Sequence, residues 1–238
     1  MTVQDDERER ELVRLFNLDW DPAHQRAGVD AVLRVPVGDR SVDVDVEVKS
    51  TTGRTVSTAR DVGMEHVAKW REKLFVIGFY SRDARRPELL TSLCLTPVDM
   101  KAWIDSIETR IALDDRIARR ASAGLALGDV FEVCGEKPTY SLDDARAVLR
   151  QQWSTEDYLR NADLVVGAGV PGFSPARMLD VVKARALYIA RRGSTLNNPH
   201  VTSAHLSPFF GTDREIKSDW ASRIRSIAQR WLADRNLP

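Results

Sequence analysis

The sequence predicts an α/β protein, a central β-sheet flanked by helices with a mainly helical C-terminal part. Three observations predict it. Residues 42–49, Val-Asp-Val-Asp-Val-Glu-Val-Lys, alternate valine with charge, the period of a strand with one apolar and one ionic face. Residues 74–80 (LFVIGFY) form an unbroken apolar run, as expected of a strand buried on both faces. Around these runs, Val62, His66, Val67 and Trp70, and later Met178, Val181 and Val182, recur at helical spacing.

The elements follow in order. Residues 4–17 read as a helix: Leu12, Leu15 and Phe16 make an apolar stripe behind an acidic first turn, Asp5-Asp6-Glu7, which suits the positive end of the helix dipole. Asp21-Pro22 breaks it. Val29–Val37 and Arg40–Thr51 read as two strands joined at the turn Gly38-Asp39. Ser57–Lys73 reads as a helix and Leu74–Tyr80 as the central strand. The loop SRDARRPE leads to a further apolar run, Leu89–Leu95. Pro97 opens a helix through Ile107, and residues 108–121 continue helical with Arg110, Arg116, Arg119 and Arg120. Val130–Val133 suggests a short strand. Ser141 caps a helix with Asp143 and Asp144 in its first turn, and Ser154 starts another. Residues 166–175, rich in Gly and Pro, read as a linker. Ser174-Pro175 opens a long helix to Arg192, and Thr212–Asn236 holds the last one. The expected division is a core over 1–165 with helical insertions, and a helical, basic part over 166–238 that belongs to the same domain or is appended to it.

Composition sets bounds. The 238 residues are 43% hydrophobic and 29% charged, enough for one large domain or a core with a small appendage. No run of eighteen apolar residues exists, so no membrane partner is expected. The start, MTVQDDERER, is too charged for a secretory signal. Cys94 and Cys134 lie far apart without a CxxC pair, which argues against zinc and for a reducing cytoplasm. Net charge is zero but uneven. Residues 177–238 hold eleven Lys and Arg against five Asp and Glu; residues 1–176 hold twenty-four against thirty. The C-terminal quarter is therefore the part suited to a polyanion.

The chemistry concentrates on one strand. Asp43, Asp45, Glu47 and Lys49 point the same way if residues 42–49 are extended. Three carboxylates in a row repel one another unless a cation or water intervenes. An ordinary edge strand with a solvated ionic face would carry the same pattern. What distinguishes this chain is Asp30 on the preceding strand, and the order helix, hairpin, helix, central strand. With Gly28-Val29-Asp30 and Val46-Glu47-Val48-Lys49-Ser50, that arrangement resembles the PD-(D/E)XK nuclease superfamily, whose best-known members are type II restriction endonucleases. The resemblance covers residues 5–81; no Pro precedes Asp30.

The resemblance implies a mixed central β-sheet flanked by helices, the restriction-endonuclease-like core. It implies Asp30, Glu47 and Lys49 as catalytic residues. Mg²⁺, with Mn²⁺ as a substitute, would be held by Asp30, Glu47 and the Val48 carbonyl, oxygen donors such as Mg²⁺ prefers. Glu11 or Glu7 on the first helix, and Asp45, are further candidate ligands. It also implies a site-specific cut in double-stranded DNA that leaves 5′-phosphate ends, a homodimer or homotetramer so that both strands are cut, and a bacterial cytoplasm as location. The alternatives are a superfamily relative in repair or defence that acts on DNA structure or modification, and a DNA-binding protein without chemistry.

Other signals weigh less. Gly167-Ala-Gly169-Val-Pro-Gly172 fits GxGxxG, but no acid-ended second strand follows and Pro171 would distort a phosphate loop, so no nucleotide cofactor is expected. His200 and His205 lack a third ligand nearby, His66 sits with Val62 and Trp70, and His24 reads as a loop residue. No nucleophile elbow, P-loop or HExxH occurs. For DNA contact the candidates are Arg177, Lys183, Arg185, Arg191 and Arg192 on the helix that starts at Pro175, followed by Asn197 and Asn198. Forks and amides of this kind suit base edges.

Overall fold

The alternating valines and charges do build a strand, and it is the second of the five that make the main sheet. The computed structural model describes residues 3–20, 30–59, 62–82, 87–150, 152–166, 169–192 and 199–235, apart from the side chains of residues 3–6 and 192. In chain order the elements are α1 (Val3–Leu15), β1 (Ala31–Val37), β2 (Arg40–Thr51), β3 (Val56–Ser57), α2 (Met64–Trp70), β4 (Leu74–Tyr80), β5 (Leu89–Leu95) and α3 (Lys101–Ala123). They continue as α4 (Leu127–Cys134), β6 (Tyr140–Ser141), α5 (Leu142–Leu149), α6 (Thr155–Asn161), β7 (Leu164–Val166), β8 (Val170–Phe173) and α7 (Pro175–Arg192). The last are β9 (His200–Val201), α8 (Ser203–Leu206), β10 (Glu215–Ile216) and α9 (Trp220–Asp234).

Two compact units emerge, Met1–Thr109 with Asn198–Pro238, and Arg110–Asn197. The chain therefore does not divide at 165/166. Residues 198–238 return to the first unit because Ile224, Ile227, Ala228, Trp231 and Leu232 on α9 belong to its core.

In the first unit the sheet order is β1-β2-β4-β5-β10. The pairing is mixed: β1 runs antiparallel to β2, β2 parallel to β4, and β4 antiparallel to β5. A parallel neighbour demands a crossover, and residues 52–73 supply it through α2. At the β1–β2 turn Gly38 has φ +56°, a left-handed conformation that costs glycine little. One face of the sheet carries Val44, Val46, Val48, Leu74 and Val76, which pack with Leu12 and Phe16 of α1 and with α9. Gly78 lets α1 approach, since a Cβ there would lie 2.8 Å from both Leu12 methyl carbons. Cys94 is fully buried in this core, and burial pushes its thiol up to about 12, so it acts as a small apolar side chain. On the other face Phe75 and Trp70 meet Trp103, at 6.5 and 4.9 Å between ring centroids.

The second unit has its own core, with Val130, Tyr140, Leu149, Tyr158, Phe173, Met178 and Val181 buried together. Ser141 and Ser154 cap their helices as the sequence implies, each accepting the backbone N–H three residues on. A three-stranded sheet, β6-β8-β7, completes it among the described residues.

Four readings of local structure need correction. The helix expected over Ser57–Lys73 is confined to Met64–Trp70, because Val56 and Ser57 pair instead with Val201 and His200. Val130–Val133 lies in α4, where Val130 is buried against α7 in a helical, not an alternating, pattern. The Gly/Pro stretch 166–175 is not a linker over its length: Val170–Phe173 is a strand between β6 and β7. The last helix starts at Trp220, since Glu215 and Ile216 pair with β5. Among the described residues no helix is long and apolar enough to cross a membrane.

Candidate functional site

The register of the first hairpin assembles the site. Ala31 opposes Val46, so Asp30, one residue earlier, falls beside Glu47 on the next strand. The Val48 N–H donates to Asp30 Oδ2 at 3.1 Å, which fixes that carboxylate against β2. Lys49 reaches back along its own strand. Its Nζ lies 2.6 Å from Asp30 Oδ2, 3.0 Å from Glu47 Oε1 and 3.0 Å from the Val48 carbonyl oxygen. Asp30 and Glu47 thus share one ammonium on one side of the sheet. Two oxygens in contact with the same nitrogen are at most about 6 Å apart.

Burial makes these contacts count. The Glu47 and Lys49 side chains are only 7% and 11% exposed, whereas that of Asp30 is 33% exposed and forms the open side of the cluster. Burial by itself would raise the Glu47 pKa. The ammonium groups of Lys49 and Lys73 override it and hold the carboxyl below its ordinary range. Burial likewise works against the Lys49 charge, but Glu47 and Asp30 outweigh it and drive its pKa upward. Both groups are ionised at neutral pH.

Lys73 is the residue sequence reasoning missed. Its Nζ lies 3.0 Å from Glu47 Oε2, with the side chain 5% exposed, so the two oxygens of Glu47 are divided between two lysines. The signal was available in principle. A lysine directly before an apolar central strand must place its charge somewhere, and the parallel register of Val46 with Leu74 sets Lys73 beside the acidic strand.

The remaining candidates scatter. Glu11 meets the Tyr80 hydroxyl at 3.0 Å, and Tyr80 belongs to the core beneath α1. Burial, and then the neighbouring Glu11, raise the Tyr80 pKa, so it stays a neutral donor. Glu7 is exposed and Asp45 half-buried, and neither joins the contacts of Lys49 described above. Asp43 is an exposed surface partner of Arg34 at 3.3 Å, so at that end of the strand the solvated-face reading holds. Gly28, Val29, His24, Gln25 and Arg26 lie outside the described residues. Among the described residues no three His, Cys, Asp or Glu side chains gather at a metal-holding point.

The histidines take structural partners. His66 Nδ1 accepts the Gly63 N–H at 3.3 Å, which caps α2. His200 Nδ1 lies 3.2 Å from Ser57 Oγ, and His205 Nδ1 lies 2.9 Å from Thr202 Oγ1.

On α7, Arg177 pairs with Asp180 at 3.0 Å and Arg185 stacks 5.6 Å from the centre of Tyr188. Arg191 is tied to Asp115 at 2.7 Å, and Asp115 also takes Arg119. Lys183 is half-buried. The Arg192 side chain, Asn197 and Asn198 lie outside the described residues. Comparison with protein-family models, curated proteins and solved structures gives no significant match to this chain.

Proposed function

We propose that this chain is a divalent-cation-dependent endonuclease that hydrolyses phosphodiester bonds in double-stranded DNA, with a restriction-endonuclease-like core of the PD-(D/E)XK kind. The observation that carries the reading is the meeting of Asp30, Glu47 and the Val48 carbonyl on the single Lys49 ammonium. The donor set fits a hard cation: two carboxylates and a carbonyl, all oxygen, already converge on one positively charged atom. Mg²⁺, or Mn²⁺ in its place, held by these oxygens would polarise the scissile phosphate and acidify an attacking water.

The chain's own groups do the rest. Val48 N–H keeps Asp30 directed at the cluster, and Lys73 keeps Glu47 ionised and oriented through Oε2. Lys49 is the donor that holds the attacking water and offsets charge building on phosphorus. The new bond joins water oxygen to phosphorus, the bond to the 3′-oxygen breaks, and the proton passes to that oxygen, leaving a 5′-phosphate. Arg185 and Lys183 of α7 are the proposed phosphate contacts. Cutting both strands at one specific sequence, as a type II restriction endonuclease does, requires two copies of the site and hence a homodimer or homotetramer. The proposed setting is a bacterial cytoplasm.

Lys73 favours a second reading. Asp30, Glu47, Lys49 and Lys73 formally sum to zero charge, so the cluster could serve only as a buried ion network in a DNA-binding protein. Incubation of the protein with plasmid and phage DNA in Mg²⁺ or Mn²⁺ separates the readings. Discrete bands with 5′-phosphate ends, lost on chelation and in Glu47→Gln and Lys49→Ala, support site-specific cleavage. Preference for flaps or mismatches supports the repair or defence form. Inertness with both ions, on linear, nicked and branched DNA, overturns the enzyme.

A further inference from the structure

We infer that Lys49 is also the resident counter-ion of its own site and contends with a divalent cation for the same three oxygens. This rests on the function proposed above and concerns how that site is regulated. An ammonium has three N–H donors. The Lys49 Nζ has three oxygens within 3.0 Å: it hydrogen-bonds Asp30 and the Val48 carbonyl and is ion-paired with Glu47, so the atoms around its charge are the cation ligands themselves. In that arrangement its charge is turned toward these ligands and away from a water or a phosphate oxygen.

Lys49 must leave these oxygens before they can bind a divalent cation, and leaving is what frees its donors for the water. The two roles exclude each other, and the exchange couples them. Lys73 makes the exchange affordable: it stays on Glu47 Oε2, so the buried carboxylate keeps one ammonium when Lys49 departs. Asp30, the most exposed member, opens the cluster toward solvent. The protein without DNA is therefore expected to bind Mn²⁺ weakly, held off by its own lysine.

The test is Mn²⁺ titration by calorimetry at pH 7.5 without DNA, on the wild type and on Lys49→Met, with near-ultraviolet circular dichroism to establish that the variant is folded. A unit positive charge within hydrogen-bond distance of the ligands opposes a second cation strongly even at a protein's effective dielectric, so Lys49→Met should bind Mn²⁺ at least about tenfold more tightly. This is opposite in sign to its expected loss of cleavage. Equal or weaker binding by Lys49→Met, with measurable binding by the wild type, overturns the exchange and leaves the nuclease reading standing. Binding by neither protein overturns both. If Lys49→Met does not fold, Lys49→Gln, which keeps a polar end without the charge, is expected to show the same gain and is judged by the same outcomes.

Discussion

Glu47 is the residue on which the site turns, because its two oxygens answer to two lysines in a buried place. Removing one partner of a buried ion pair leaves charge without compensation, and Lys73→Met is therefore expected to lower stability by about 3 kcal/mol in urea denaturation. A loss below about 1 kcal/mol would mean that Lys49 alone suffices. The pH dependence follows from the direction of the Glu47 shift. Its folded pKa is depressed, so its contribution is fully present above the unfolded value, about 4.3, and is lost as pH falls through the lower folded value. Between about pH 5 and 3 the wild type should lose urea resistance more steeply than Glu47→Gln, which has no carboxylate to protonate. Parallel pH profiles for the two proteins would show that Glu47 is not stabilised in the fold. That Glu47 and Lys49 share a face is legible in the sequence because a two-residue period fixes it, whereas Asp30 is singled out by its place early in the hairpin and by the resemblance. Lys73 was not legible, because its role depends on a parallel pairing between strands separated by a crossover, which no local pattern displays.

At the scale of elements, the apolar pattern is a sound guide where a long strand is buried on one or both faces and a poor one where tertiary pairing decides. β2, β4 and β5 follow their apolar patterns to the residue. β3, β9 and β10 are two-residue strands defined by their partners, Val56 by Val201 and Ile216 by Ser92, and no sequence window of that length carries a signal. Val130–Val133 (Val-Phe-Glu-Val) is too short to display a period and is compatible with either a strand or the helix α4 that forms. The close contact of α1 with the sheet gives a prediction of its own. Gly78→Val would force branched carbon into the space of the Leu12 methyls, and overpacking of a buried site costs about 2 kcal/mol. Since α1 covers the side of β2 opposite Glu47, the substitution should lower the thermal midpoint while leaving Mn²⁺ affinity within about twofold in the folded protein. A large fall in Mn²⁺ affinity would mean that α1 holds the carboxylates in place.

For the whole molecule the proposed function raises the question of what surface would meet DNA. The net positive residues 177–238 were read as one basic part, yet they contribute to both compact units: α7 belongs to Arg110–Asn197 and α9 to the other. The raw charge count also overstates what is available. Arg191 is paired with Asp115 and Arg177 with Asp180, which leaves Lys183 and Arg185 as the stronger candidates among the described side chains of α7. A side chain that neutralises a phosphate releases condensed counter-ions, and each such contact adds about 0.9 to the slope of log affinity against log salt. The double variant Lys183→Ala, Arg185→Ala should therefore bind DNA more weakly at every sequence and reduce that slope by roughly 2. Arg191→Ala should change the slope by much less, because its guanidinium is already held by a carboxylate, and should instead cost stability. Fluorescence anisotropy of a labelled duplex over a range of KCl, measured in Ca²⁺ to prevent cleavage, checks both. If the slope is the same in the double variant as in the wild type, α7 does not touch the phosphate backbone and the DNA-facing surface lies elsewhere on the chain.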